Sequence, residues 1–342
     1  MEHIRIARKM PDGPSTTGLE DIRLLNCSLP ELDLEEIDLS QELWGKKLQF
    51  PLIINALTGG NDQAKSINRD LAIVCRKYGL AMAVGSQTIA LENPNRVESF
   101  SIVRDYNPEG VVIANLGAGT GTNAAREAVN MIAADAIQLH LNVPQELAMP
   151  EGERCFRGIV DKVAKIVNDS EVPVIAKEVG FGLSRESVQQ LYQVGVRVFD
   201  IGGQGGTNFI AIEDKRGGLF QGELDSWGIP TAVSLAEIVA CVLPITIMAS
   251  GGIRSAVEVA KCLAMGANMV GIAGHFLKIL LSDGIDALDR FICDFLYRLK
   301  AVYVMCGAKD SAELRAKPLI IMGDTAQWLK ARNVDLRLWS KA

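Results

Sequence analysis

Residues 136–146, AIQLHLNVPQE, decide how the chain is read. Ile137, Leu139 and Leu141 alternate with Gln138 and His140, the period-two pattern of a strand with two unlike faces. Pro144 cannot donate to a ladder, so the strand ends before it. His140, Asn142, Gln145 and Glu146 crowd around that end. Polar side chains at the C-terminal end of a parallel strand are where α/β barrels place their chemistry. The plainer alternative is a loop whose amides and carboxylate cap a neighbouring helix. The rest of the chain chooses between the two.

Outward from this stretch the same signature recurs. Short apolar runs stand at 52–56, 80–84, 111–114, 136–141, 172–176, 196–201, 245–249 and 268–272. Most end in Gly, Ser, Asn or Lys and lead into a helical pattern. Asn61 or Asp62 suits the cap of a helix whose Ile67, Leu71 and Val74 share a face and which Gly79 stops. Thr122 and Ser184 suit the caps of later helices. Eight strand–helix units predict an α/β protein of the closed (β/α)8 TIM-barrel class. A doubly wound open sheet would carry one glycine fingerprint near its start, whereas the richest glycine turns here come late.

Residues 1–50 lack the barrel pattern. They include a charged alternation, LDLEEIDL at 32–39, and read as an N-terminal extension with a short strand or two covering one end or edge. Residues 51–342 then form the barrel and its C-terminal helices, with a polar insertion at about 208–231 after the sixth strand. Leu288, Phe291, Ile292, Phe295 and Leu299 fall at helical spacing and read as core, with Gly307 as the stop. Residues 318–321 and Trp328-Leu329 are expected to close the outer shell.

Composition narrows the partners. Of 342 residues, 35 are Lys or Arg and 41 Asp or Glu, a net charge of −6 that gives no footprint for nucleic acid. Seven cysteines, an odd count without a CxxC, read as thiols of a reducing compartment. No apolar signal core opens the sequence and no run is long enough to span a bilayer, so a cytoplasmic protein without a membrane partner is expected. The three histidines, His3, His140 and His275, form no cluster at zinc spacing.

The strand ends carry the chemistry. ASGGIR at 249–254 leads into a helix, so backbone N–H groups, a helix N-terminus and Arg254 can converge on an anion. Ala273-Gly274 after the last strand adds further amides. Loops seven and eight are the usual phosphate site of such barrels. Lys177 ends strand five, where a desolvated ammonium needs a partner: the negative charge of a bound ring or phosphate, or neighbouring Glu178. Residues 200–207, DIGGQGGT, let backbone approach something flat, and Thr207 offers a hydroxyl. Thr58, Ser86 and Asn115 ring the mouth with uncharged hydrogen-bonding groups. A phosphate at one side and a heteroaromatic ring across the mouth describe flavin mononucleotide (FMN). Glu146 suits a hard cation such as Mg2+, which takes one or two carboxylates and completes its shell with phosphate.

These segments also resemble a known family. INALTGG (54–60), VGSQ (84–87), ANLG (114–117), QLHLNVPQE (138–146), MPEGER (149–154), KEVGFG (177–182), DIGGQGGTNF (200–209), SWGIPTA (226–232) and ASGGIR (249–254) closely resemble type 2 isopentenyl-diphosphate isomerase. The resemblance implies an FMN-dependent (β/α)8 enzyme that interconverts isopentenyl and dimethylallyl diphosphate by flavin-assisted allylic proton transfer. It implies Mg2+, NADPH or another donor as reductant, and a homo-oligomer, tetramer or octamer. By motif match, Thr58, Ser86, Asn115, Lys177, Thr207, Gly252, Arg254, Ala273 and Gly274 resemble FMN contacts. Gln145, Lys177 and Glu213 resemble catalytic groups. His3, His140, Asn142 and Gln145 resemble substrate contacts, and Glu146 the Mg2+ ligand. The family carries an Arg-Lys pair shortly before the first histidine, whereas this sequence reads Met1-Glu2-His3, and it has Glu153 where Asp is usual. Two rival readings are an FMN-dependent oxidoreductase of the hydroxy-acid oxidase type and a non-catalytic flavoprotein.

Overall fold

The computed structural model describes residues 15–341, so the expectation for His3 lies outside the described residues. Eight parallel strands close a barrel: β1 (Leu52–Ile54), β2 (Ala81–Ala83), β3 (Val112–Gly117), β4 (Ala136–Leu141), β5 (Val174–Glu178), β6 (Val198–Asp200), β7 (Thr246–Ser250) and β8 (Met269–Ile272). They follow one another in chain order, and β8 pairs back onto β1. The open sheet is thereby excluded and the (β/α)8 class stands. β4 has the bounds its alternation predicts. β5 starts later than its apolar run because Pro173 has no N–H to give the ladder.

Eight helices wrap the barrel: α1 (Asp62–Tyr78), α2 (Glu98–Tyr106), α3 (Thr122–Met131), α4 (Ile159–Asp169), α5 (Arg185–Gln193), α6 (Thr231–Val239), α7 (Ala256–Met265) and α8 (Ile285–Cys306). Asn61 caps α1 through its side chain, which accepts from the Ala64 N–H at 2.9 Å, and Gly79 ends it in the left-handed region at φ 61°. Ser184 caps α5 as its sequence position suggests. Thr122 does not cap α3: it is already the first helical residue, Gly121 stands at the cap position, and no side chain bonds the free N–H groups there. On α8, Leu288, Ile292, Phe295 and Leu299 are buried and Phe291 packs beside them, with Gly307 as the stop at φ 62°.

Strand parity sorts the side chains. Ile137 and Leu139 face outward into the layer shared with the helices, whereas Ala136 belongs to a separate inner cluster with Ile53, Ile113, Ile175, Val198 and Met248. Leu43 and Leu48 join that inner cluster. They come from an antiparallel hairpin, Gln41–Leu43 with Lys46–Leu48, which plugs the N-terminal end of the barrel. The alternation at 32–39 is no strand: it holds a 3-10 turn, Leu34–Glu36, fixed by a reciprocal cap between Asp33 and Glu36. The extension's other strand, Ile22–Leu24, pairs antiparallel with Leu319–Ile321 near the far end of the chain. At the barrel mouth, the Thr17 carbonyl accepts from Ala232 N–H at 2.9 Å and Ser15 Oγ from Gln204 Nε2 at 2.8 Å. Among the described residues no helix is long and apolar enough to cross a membrane.

Leu48→Ala would leave a void at the barrel floor. It should lower stability by about 2–4 kcal/mol, as large-to-small core changes do, read as a fall in the urea midpoint. A loss below about 1 kcal/mol would mean that the hairpin adds no packing there.

Candidate active site

Above the apolar inner cluster the inward positions turn polar. Asp200, last residue of β6, is fully buried. Its Oδ2 accepts from Lys177 Nζ at 2.9 Å, Asn55 Nδ2 at 2.6 Å and Gln138 Nε2 at 3.4 Å. Its Oδ1 accepts from Ser250 Oγ and from the Gly202 N–H. Each donor comes from a different strand or strand end, so one carboxylate ties β1, β4, β5, β6 and β7 together. A buried carboxylate is tolerable only with such a set of donors. Lys177 therefore pairs with Asp200 and not with Glu178. Successive strand residues face opposite sides, and Glu178 Oε2 instead accepts from the backbone N–H groups of Phe181 and Gly182 at 2.5 and 2.9 Å.

Lys177, Asn55 and Ser250 form part of the wall of a pocket of about 200 Å3, which the loops after β6, β7 and β8 complete. Those loops touch through bare backbone. A Cβ on Gly251 would lie 2.0 Å from the Gly203 carbonyl oxygen, and one on Gly206 would lie 2.6 Å from the Gly252 nitrogen. Only glycine permits this approach, and Gly252 also holds φ 71°. Arg254 Nη2 donates to the Gly205 carbonyl at 2.7 Å, which fixes the guanidinium at the pocket wall. Ser255 and Glu258 cap α7 reciprocally, whereas the helix Gly274–Asp283 begins at the pocket wall with no side-chain cap. One helix start, a glycine cradle and a guanidinium are a fitting receptor for one phosphate.

The end of β4 faces the same mouth. His140 Nδ1 lies 3.0 Å from Asn115 Oδ1, and burial followed by the Lys177 charge lowers its pKa to about 4, with Glu146 pulling the other way. At neutral pH it is an uncharged imidazole. The chain then enters a short helix, Val143–Ala148, with Pro144 in its first turn. Glu146 Oε1 accepts from Asn142 Nδ2 at 2.8 Å and Oε2 from the Glu153 N–H at 2.8 Å. Arg154 folds back onto the Glu146 and Met149 carbonyls.

Of the residues singled out from the sequence, Lys177, Thr207, Gly252, Arg254, Ala273 and Gly274 line one pocket. Asn115 with His140, and Asn142 with Glu146, form two hydrogen-bonded pairs at the ends of β3 and β4, and Gln145 shares the short helix. Thr58 is buried behind β1, and Ser86 is exposed and bonded to Thr88 at 3.1 Å. Glu213 is fully buried and paired with Arg216, which also holds Glu151 at 2.9 Å, and it does not line the pocket. Sequence reading missed Asn55, Gln138, Asp200 and Ser250 as a set. The signal was there: Gln138, Asp200 and Ser250 are polar residues in mainly apolar strands, and Asn55 directly follows one. Among the described residues no group of three or more His, Cys, Asp or Glu could hold a metal. Glu146 alone fits the way Mg2+ is held, by one carboxylate with water and substrate phosphate.

Fold and pocket define a class first. Mandelate oxidases share the fold: one bound to (S)-mandelic acid superposes with a TM-score of 0.71 at 17% identity, covering 94% of each chain. Residues 124–321 match the model of the FMN-dependent dehydrogenases. Closer relatives are proteins named isopentenyl-diphosphate delta-isomerase. That of Moorella thermoacetica is 51% identical over 97% of this chain and 95% of its own length. Those of Symbiobacterium thermophilum and Bacillus licheniformis are 46% and 44% identical over 98% and 95% of this chain. The chain belongs to the isopentenyl-diphosphate delta-isomerase family, within the FMN-dependent barrel enzymes.

Arg254→Ala should weaken FMN retention at least tenfold, because charge-assisted contacts to phosphate are among the stronger hydrogen bonds; Gln145→Ala should leave it within a few-fold. Equal retention in the two variants, measured by flavin release on dilution, would place the phosphate elsewhere.

Burial raises the Glu178 carboxyl to about 8, against the backbone N–H groups that favour its anion. A group raised in the fold lends stability that is complete below its unfolded value and is lost as pH rises through the folded one. Glu178→Gln cannot ionise, so its stability relative to wild type should improve steadily from about pH 5 to pH 8. Parallel urea midpoints across that window would show Glu178 to be charged in the fold.

Proposed function

We propose that this protein isomerises isopentenyl diphosphate to dimethylallyl diphosphate with bound reduced FMN and Mg2+. The observation that carries the reading is the register of β4 on β5, which sets His140 opposite Lys177 and so joins the polar β4 end to the cofactor pocket. The glycine cradle, Arg254 and the start of the helix Gly274–Asp283 would hold the FMN phosphate, and Lys177 would supply a fixed positive charge to the ring. The residues fit that cofactor: the cradle exists only because its glycines lack Cβ atoms, and it offers one phosphate site.

Moving a double bond by one carbon needs a proton added at one end and removed at the other. Bound reduced FMN supplies exchangeable protons and electron density for a developing cation. The chain supplies the setting. The β4 edge binds and orients the diphosphate, with His140 and Asn142 at its rim and Glu146 as the Mg2+ ligand. Gln145 does not titrate and so orients the isoprenyl group. The buried layer around Asp200 keeps Lys177 aimed and would keep the floor of the pocket dry, where charge contacts are strengthened. NADPH or another donor provides the reducing electrons. Glu213, the further candidate acid, is buried against Arg216.

Turnover of isopentenyl diphosphate by the FMN-loaded, reduced protein with Mg2+ tests the reading directly; an oxidase of hydroxy acids or a non-catalytic flavoprotein would give none. Glu146→Gln should raise the Mg2+ concentration needed for half-maximal rate about tenfold or more, since a neutral amide binds a hard cation poorly. Gln145→Ala should lose turnover while keeping wild-type FMN content and Mg2+ dependence. An unchanged Mg2+ requirement in Glu146→Gln would remove the metal role from that residue.

A further inference from the structure

Asn115 holds His140 in one tautomer. Its own orientation is not free: Nδ2 donates to the Val84 carbonyl at 3.1 Å, so Oδ1 must face the imidazole. The backbone around it is equally fixed. Asn115 N–H donates to Gln87 Oε1 at 3.0 Å, and the Asn115 carbonyl accepts from the Gln87 N–H at 2.9 Å. Gln87 is fully buried and anchored in turn on the Ala128 carbonyl at 2.9 Å. An amide oxygen can only accept, so the proton of the neutral ring sits on Nδ1. Among the described residues nothing hydrogen-bonds Nε2 of this half-buried ring. Gly117 leaves the space beside it: a Cβ there would stand 3.4 Å from Nε2.

We propose that Asn115 is a positioning residue that makes His140 present Nε2 to the mouth as a hydrogen-bond acceptor, so that this edge of the site takes a donor. The inference deepens the isomerase reading and rests on it for the identity of the ligand. A fully ionised diphosphate oxygen has no proton to give. His140 therefore meets its ligand through a hydroxyl or a water, either a hydroxyl of the cofactor chain or a water carried by Mg2+. The charged groups that act on the ring are Lys177 on β5, which opposes a cation there, and Glu146 on the short helix, which favours one. With burial, the balance keeps the ring neutral.

The chain has three histidines, so nitrogen-15 labelling of histidine gives a spectrum that His140→Gln assigns by loss of one set of signals. In wild type at pH 7, His140 should show a protonated Nδ1 and a bare Nε2, the opposite of the tautomer that free histidine favours in water. Asn115→Asp keeps the acceptor and adds a charge. It should retain the tautomer and raise the ring's pKa by about one to three units. Asn115→Leu removes the acceptor and should release the ring to the other tautomer or a mixture. A merely structural Asn115 would not separate these two variants. Loading FMN alone, then adding Mg2+ with inorganic pyrophosphate, tells the sources apart: the Nε2 signal should move at the step that brings the donor, without becoming that of a protonated ring. A protonated Nε2 in wild type, an unchanged tautomer in Asn115→Leu, or an imidazolium on addition of either ligand would overturn the proposal. These spectra are read without turnover, so an inactive protein with the expected tautomer would fault the isomerase reading alone.

Discussion

A single buried carboxylate sets the terms for the upper half of this barrel. Asp200 has no access to water, and its charge is tolerated only because donors from β1, β4, β5 and β7 and one backbone N–H converge on it. In a closed barrel those donors sit on strands whose register is already fixed by their ladders. Shifting any one strand by a residue would turn its donor outward and leave the anion unpaired, at a cost well above that of an ordinary lost contact. The same layer divides the interior. Below it lie apolar side chains and the plugging hairpin, and above it lies the pocket. Stability and function thus share one boundary, and Lys177 belongs to both sides of it.

Much of this was legible in the residues. The alternation in 136–141 gave a strand with the bounds observed, and the late glycine turns mark the place where two loops touch through backbone. Pairings across the barrel were not legible, because they depend on which strands are neighbours and on their register. Glu178 was the nearest partner for Lys177 in sequence, yet alternation sends the two to opposite faces, and the true partner lies twenty-three positions on. Thr122 looks like a cap by type, but Gly121 occupies the position from which a side chain could reach the first turn. The charged alternation at 32–39 mimics a strand pattern; Asp33 and Glu36 instead satisfy each other's backbone locally, the competing option such residues always have.

The contact between the β6 and β7 loops shows why glycine count alone says little. Gly203 and Gly251, and likewise Gly206 and Gly252, meet so closely that a methyl group on one would occupy the atoms of the other. Thr231 Oγ1 bridges the same loops by donating to the Gly251 carbonyl at 2.7 Å, and Thr17 of the extension packs against Gly205 and Gly252. The glycine cradle is therefore a product of three segments far apart in sequence, each contributing backbone. Its shape is set by packing and is independent of any one loop's own preference.

The pairing of Ile22–Leu24 with Leu319–Ile321 has a consequence for how the molecule is made. The first of these strands is made before the barrel strands and its partner after all eight of them, so the ladder cannot form until the whole barrel has been synthesised. Until then the early strand exposes an unpaired edge, and its closure must follow the gathering of nearly the whole chain. This two-stranded seam acts as a latch set after the barrel is assembled. A chain cut short near its C-terminus would leave its N-terminal edge open and prone to pairing with another molecule.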